Sequence, residues 1–433
     1  MFATVKKEIK SMEQGKNRIY FCIDMKCFFA SVECAERNLN PFETNLVVAD
    51  ESRGGGSICL AISPKMKALG VKNRCRIYEI PKNIQYIIAK PRMSKYIQYA
   101  ADIYEIYLKY VSPDDIHVYS IDECFIDATD YIKLSKKTPE DFARMLMDEI
   151  ALVTHIPSTA GIGTNLYLAK IALDITAKKV PDHLGVLTEQ TFRKTLWNHT
   201  PITDFWGINK GTERRLAKMH IHDMQGITLM PEQRLYKEFG VNAKLLIDHA
   251  WGRETCTMQD IKNYKSKNRS VSNSQILFKD YNYEQAKLVL KEMILGVCQT
   301  LIKSKKIASG VFVGINYSKE IIPPTGASQK MHRATNVYSQ IMEYAQRIYE
   351  QTTSITAPIR KISVGCFGLA DECCEGYDLF TDVNAVEKEK RLERTVIDIK
   401  EKFGKNALLR GMDLEDSATA QLRNKLIGGH NGE

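Results

Sequence analysis

The sequence predicts an α+β chain of several domains, and three observations carry that prediction. Its 433 residues exceed what one hydrophobic core sustains, because chains longer than ~250 to 300 residues split into separate units. Two stretches, 18 to about 175 and about 270 to 411, alternate apolar runs of strand length with helical periodicity, the pattern of a mixed sheet with packed helices. Between them, residues 181 to 255 turn helical and basic.

Composition narrows the function classes. The chain is 44% hydrophobic and 26% charged, too apolar for a disordered protein. A formal net charge of +9 suits a polyanionic partner through counterion release, and equally suits a solvated basic face. The eleven cysteines form no C-x-x-C pair and no His/Cys cluster at zinc spacing, so reduced thiols are expected, and adjacent Cys373 and Cys374 take no role. Residues 1 to 17 read as a polar extension without an apolar signal core, and no run of ~18 apolar residues is present. A cytoplasmic protein with no membrane partner is expected.

Arg18-Ile-Tyr-Phe-Cys-Ile-Asp24 reads as a buried strand ending at a carboxylate. A short apolar run at Leu46 to Ala49, the flexible Ser52-Arg-Gly-Gly-Gly-Ser57 and a basic helix-like stretch from Ser63 to Gly70 form a small inserted subdomain over 41–90. Tyr96 to Tyr110 has helical spacing. His117 to Asp127 reads as strand, tight corner, strand, with Asp122 and Glu123 at the corner. Met145 to Val153 is a further amphipathic helix, and Gly161-Ile-Gly163 is expected to open a helix running through Ile175. A lysine-rich connector ending at Arg269 leads to the last unit, and residues 412–433 read as a loose tail.

Asp24, Asp122 and Glu123 interrupt apolar, half-buried strands, where a charge is costly unless a metal or a partner compensates it. Such acids suit magnesium and metal-assisted phosphoryl chemistry, but spacing alone does not bring Asp24 to Asp122. A strand cap or an ordinary ion pair accounts for each of them singly.

Asp24-Met-Lys-Cys-Phe-Phe-Ala-Ser-Val-Glu33 resembles the D-x-x-x-F-[FY]-A-x-V-E signature of Y-family translesion polymerases, and Tyr119-Ser-Ile-Asp-Glu-Cys-Phe-Ile-Asp127 resembles their S-[IVL]-D-E motif. With later matches the resemblance spans about 19 to 411. Gly161 to Lys170 and the ending Arg423-Asn-Lys-Leu-Ile-Gly-Gly-His430 are most similar to UmuC-like polymerases of Gram-positive bacteria, their phages and plasmids. The resemblance implies an α+β multidomain fold, a right-hand polymerase-like palm (18–40 and 91–180), fingers (41–90) and thumb (181–255), a linker (256–269) and a C-terminal little finger (270–411).

It also implies a template-directed DNA polymerase for lesion bypass that takes primer-template DNA and deoxynucleoside triphosphates. Asp24, Asp122 and Glu123 would hold two Mg2+ ions, or Mn2+, with the backbone carbonyl of Met25 as a further ligand. Phe29 stands at the steric gate against a 2′-hydroxyl, with Phe28 beside it either at the nucleotide or in the core. Arg53 and Lys67 stand where fingers residues meet the triphosphate. The chain departs from the family at Leu166, where many members place a triphosphate lysine, and weak nucleotide binding is the expectation. Gly163 and Thr164 at a helix start offer N–H groups to an anion.

Gly207-Ile-Asn-Lys210-Gly211 resembles a helix-hairpin-helix that approaches a DNA phosphate, and Ser270 and Ser272 resemble the start of the little finger along the template. Gly376-Tyr-Asp-Leu379-Phe380 resembles a sliding-clamp docking peptide, the alternative being that Leu379 and Phe380 pin their loop to the domain. A catalytically inactive, DNA-binding accessory protein is the second functional reading, and a metal nuclease a third.

Overall fold

The protein is represented by a computed structural model that describes residues 18–266, 270–318 and 321–432, apart from the side chain of Arg53. It forms two compact units that divide between Tyr264 and Lys265.

The first unit is built on a five-stranded sheet in the order β5-β6-β1-β7-β8, with β1 Tyr20–Met25, β5 Ile116–Val118, β6 Glu123–Asp127, β7 Ser158–Gly163 and β8 Leu184–Leu187. β1 is the middle strand, antiparallel to β6 on one side and β7 on the other, while β7 and β8 are parallel. The expected mixed sheet and the strand–corner–strand around Asp122 are therefore present. Phe21, Ile23 and Met25 point to one face and join a core with Phe28, Tyr96, Ile106 and Leu146 from the helices Phe28–Ala35, Met93–Leu108 and Pro139–Thr154. The inserted segment forms a small sheet in the order β3-β2-β4, from β2 Leu46–Val48, β3 Ala61–Ile62 and β4 Ile87–Ala89. Residues 189–250 are helical and pack a separate core around Phe192, Phe205, Leu216 and Leu235.

Gly161 to Gly163 does not open a helix; it is the end of β7, and the helix starts at Leu166 with Asn165 as its cap, accepting from Leu168 N at 2.8 Å. The glycines serve contact instead. A Cβ on Gly161 or Gly163 would lie 2.2 Å from backbone atoms of Ala169, so the helix Leu166–Ile171 rests directly on the sheet. It continues into a π-helical turn at Ala172–Thr176. A period-3.6 pattern beginning at a glycine pair cannot tell the end of a strand from the start of a helix.

Glu33 is the polar centre of this unit. Fully buried, it accepts from Arg92 Nε at 3.0 Å and Nη2 at 2.9 Å, from Tyr96 Oη at 2.8 Å, and from Arg37. The pair joins helix Phe28–Ala35 to helix Met93–Leu108 across 59 residues of chain. Burial alone would raise the Glu33 carboxyl, but the bonds from Arg92, Arg37 and Tyr96 win and hold it below its ordinary value.

The segment expected to be a linker is partly ordered: helix Met258–Asn263 buries Met258 against Tyr20, Cys22 and Phe125, and Lys262 reaches the carbonyl of Pro113 at 2.6 Å. Residues 267–269, the rest of that connector, lie outside the described residues.

The second unit is a four-stranded antiparallel sheet in the order β11-β10-β12-β9, from β9 Ser270–Tyr281, β10 Lys306–Tyr317, β11 Thr325–Thr335 and β12 Ile359–Asp371. Its core packs Leu277, Val311, Val313 and Val364 against helices Tyr283–Lys303 and Tyr338–Thr352. The tail is not loose. Buried Glu292 accepts from the backbone N–H groups of Thr419 and Ala420 at 3.1 Å each, Arg423 meets Gln275 at 3.0 Å, and a short hairpin at 426–431 follows. Polar tail residues hid this, because their partners lie more than 120 positions away. Among the described residues no helix is long and apolar enough to cross a membrane.

Two outcomes test this account. Gly163→Ala is expected to cost roughly 1 to 3 kcal/mol, because the helix backbone must retreat; an unchanged melting temperature would contradict the close approach. Glu33→Gln is expected to lower the melting temperature by roughly 5 °C at pH 7. Because the folded carboxyl is depressed, its contribution is present above the ordinary value of 4.5 and is lost as pH falls through the lower folded value. The gap between variant and native protein should therefore narrow below pH 4.5, and a gap independent of pH would contradict the depressed carboxyl.

Candidate active site

β1 and β6 pair so that Asp24 stands directly opposite Glu123, which puts both side chains on one face. Asp122 precedes Glu123 at the corner, and its carbonyl accepts from Met25 N at 2.9 Å. The corner is closed by Tyr119 N and Ser120 N, which donate to the Glu123 carbonyl at 3.0 and 3.1 Å, and Ser120 Oγ orients Asp122 at 2.7 Å. The structure thus sets Asp24 opposite Glu123 and within electrostatic reach of Asp122, although 98 residues separate Asp24 from Asp122 in the sequence.

Their electrostatics show how crowded they are. Burial first, then the charges of Asp122 and Glu123, push Asp24 up to about 7. Both oxygens of buried Glu123 are taken by Lys170 Nζ at 2.8 Å, and Cys22 Sγ donates to Oε1 at 3.1 Å. Burial alone would discharge Lys170, but Asp174, Cys22 and Glu123 hold it protonated. As they stand, no three His, Cys, Asp or Glu side chains among the described residues converge closely enough to hold a metal. The donor set nonetheless fits a hard divalent cation, since hard oxygen donors predominate and the Asp24 carboxylate lacks a cationic partner of its own at bonding distance among the described residues.

Leu166 is 5% exposed and packs with Tyr20, Cys22 and Phe125, so that position points into a core and away from any phosphate. Lys178, half-exposed, pairs with Asp174 at 3.0 Å and lies close enough to Asp24 to offset part of the upward push on its carboxyl. Sequence reasoning assigned Lys170 no part in holding Glu123, and Lys178 no part at all. Their signal was the spacing Lys170, Asp174, Lys178, one helix face at i, i+4, i+8. The N–H of Leu168 is taken by the Asn165 cap, and Gly163 abuts the helix, which speaks against an anion at Gly163 and Thr164.

Phe29 is half-buried and stacks on Tyr96 at 4.5 Å and 16°, which is itself held by Glu33. Phe28 is 3% exposed within the core and backs Phe29 at 5.8 Å, the packing role that its neighbour left open. Lys67, on the short helix Pro64–Ala68, lies close enough to Cys27, just before the Phe28 helix, to offset part of the upward push that burial gives its thiol. Arg53 ends a 3-10 turn, and its side chain lies outside the described residues.

Gly207 has φ +88°, and Asn209 caps the helix Lys210–Ala217, accepting from Thr212 N at 2.9 Å. The element before it is only a 3-10 turn at Ile202–Asp204, and Gly211 lies inside the helix rather than in the hairpin. Ser270 and Ser272 are exposed on β9, an edge strand. Leu379 and Phe380 are 99% and 96% exposed, so they do not pin their loop. The loop is anchored instead by Asp378, whose carboxylate accepts from Phe380 N and Thr381 Oγ1 at 3.0 and 2.6 Å, and by Arg333 over the Tyr377 ring.

Comparison with known proteins points to one family. Residues 23–174 match the impB/mucB/samB family and residues 268–378 its C-terminal domain. The chain is 30% identical to the "Putative UV-damage repair protein UvrX" of Bacillus subtilis (strain 168), over 94% of this chain and 96% of the relative. It is 28% identical to "DNA polymerase IV 2" of the same organism, over 96% and 99%. A solved "Y-family DNA polymerase chimera Dbh-Dpo4(243-245)-Dbh" shares the fold with a TM-score of 0.61 at 21% identity, covering 82% of this chain and 99% of that one. The chain belongs to the impB/mucB/samB family and is a UmuC-like DNA polymerase with the Y-family fold of palm, fingers, thumb and little finger.

Proposed function

We propose that this polymerase extends a primer 3′ end across damaged template in the bacterial cytoplasm, at a site built from Asp24, Asp122 and Glu123. The observation that supports this reading most strongly is the pairing of Asp24 with Glu123 beside Asp122, with Asp24 pushed up to about 7 by burial first and then by its acidic neighbours. Asp24, Asp122, Glu123 and the Met25 carbonyl would hold two Mg2+ ions, or Mn2+. When bound, these ions activate the attacking hydroxyl and shield the leaving phosphates. Lys170 keeps the Glu123 carboxylate in place, and Lys178, Lys67 and Arg53 supply fixed positive charge toward the triphosphate.

Phe29, braced by Tyr96 and Phe28, presents a flat ring that leaves no room for a 2′-hydroxyl. The turn at Gly207 with Lys210 and Gly211 in the first turn of the following helix, and Ser270 and Ser272, grip the DNA backbone without reading sequence. Leu379 and Phe380, an exposed apolar pair on an anchored loop, dock the sliding clamp, which raises the local concentration of the enzyme at the primer end.

In primer extension on intact and ultraviolet-damaged templates, Asp122→Asn is expected to slow synthesis by roughly two orders of magnitude or more while primer-template affinity stays unchanged. Extension retained in that variant would remove the acid assignment. Phe29→Ala should admit ribonucleotides, and an unchanged sugar preference would move the gate elsewhere. Leu379→Ala with Phe380→Ala should leave clamp-free extension unchanged and abolish stimulation by the clamp; equal stimulation would place that contact on another surface.

A further inference from the structure

The corner that carries Asp122 and Glu123 is joined to the thumb turn by a side-chain hydrogen bond, beside which Trp206 also lies 6.4 Å from the Phe125 ring. Trp206 Nε1 donates to Tyr119 Oη at 3.1 Å, and the two rings meet edge to face at 6.0 Å and 81°. Trp206 immediately precedes Gly207, whose positive φ of +88° makes the hairpin turn. Tyr119 opens the corner itself, since its N–H donates to the Glu123 carbonyl at 3.0 Å. Its ring also lies 5.7 Å from that of Phe125 on β6 and 5.9 Å beneath the ammonium of Lys170, the group that holds Glu123 at 2.8 Å. On its other side Trp206 is stacked against His249 at 6.3 Å, and His249 pairs with Glu254 at 3.0 Å, so the indole is held by the thumb.

Tyr119 is 45% exposed, and neither partner of the bond needs the other to satisfy a buried polar atom. A hydrogen bond at the surface contributes little to folding; its effect is to fix an angle. We propose that Tyr119 and Trp206 are positioning residues, coupling the hairpin that grips DNA to the acid corner so that the primer end is registered on Asp122 and Glu123. This rests on the acid-site reading above. Tyr119 acts through the Lys170 ammonium and the Glu123 backbone, and neither aromatic residue touches the reacting atoms.

The test is single-turnover extension by Tyr119→Phe, Trp206→Phe and the double variant, with deoxynucleotide KM, primer-template Kd and melting temperature measured alongside. Tyr119→Phe removes the acceptor and keeps the ring. Trp206→Phe removes the donor and keeps an aromatic. Each is expected to lower the extension rate about fivefold with KM, Kd and melting temperature unchanged, and the double variant should be no slower than either single one. An unchanged rate in both single variants would overturn the tie, as would a double variant whose loss is the product of the two. A fall in DNA affinity or melting temperature without a change in rate would also overturn it, because that outcome marks a grip or a fold contact. Asp122→Asn serves as control. Extension retained there would overturn the acid reading and this inference with it, whereas extension lost there and unchanged in both aromatic variants overturns the tie alone.

Discussion

The structure of the catalytic half depends on one strand pairing, the antiparallel alignment of β1 with β6 that sets Asp24 opposite Glu123. A shift of one residue in that register would turn one of the two carboxylates into the apolar core, where Phe21, Ile23 and Met25 already sit. The alternation of those side chains with Tyr20, Cys22 and Asp24 is therefore what protects the site: apolar burial on one face fixes which residues emerge on the other. Burial, and then the like charges brought beside it, push the Asp24 carboxyl up. Lys170 offsets part of that repulsion from a helix laid directly on the sheet over Gly161 and Gly163.

Two further arrangements follow from the same economy. Glu33, at the far end of the first motif, is spent on architecture, binding Arg92 and Tyr96 so that the Phe29 ring rests on a braced tyrosine. Leu166, Ala169 and Leu173 of the next helix pack into core over the sheet, and buried Lys170 among them reaches Glu123 and Asp174. One helix thus seals the sheet and delivers charge to the acids.

Much of this was legible in the sequence. Strand, corner and strand around Asp122 follow from an apolar run broken by two acids, and the aromatic pair after Asp24 marks a helix whose inner ring is core and whose outer ring is half-buried. What stayed hidden depends on contacts distant in the chain. Gly161 and Gly163 gave the same local signal for a strand end as for a helix start, and only the helix pressed against them decides it. That Leu166 is core was hidden because position along a motif does not reveal which face of a helix meets the core. The tail looked loose because its anchor, Glu292, is a buried acid on a helix more than a hundred residues earlier.

The account turns on the acids forming a divalent cation site. Crystals of the protein with primer-template and a non-reactive deoxynucleotide, grown in Mn2+, would locate that site directly by anomalous scattering. Two manganese peaks are expected among the carboxylates of Asp24, Asp122 and Glu123. Absence of peaks there, or a peak ligated elsewhere with Glu123 still paired to Lys170, would contradict it.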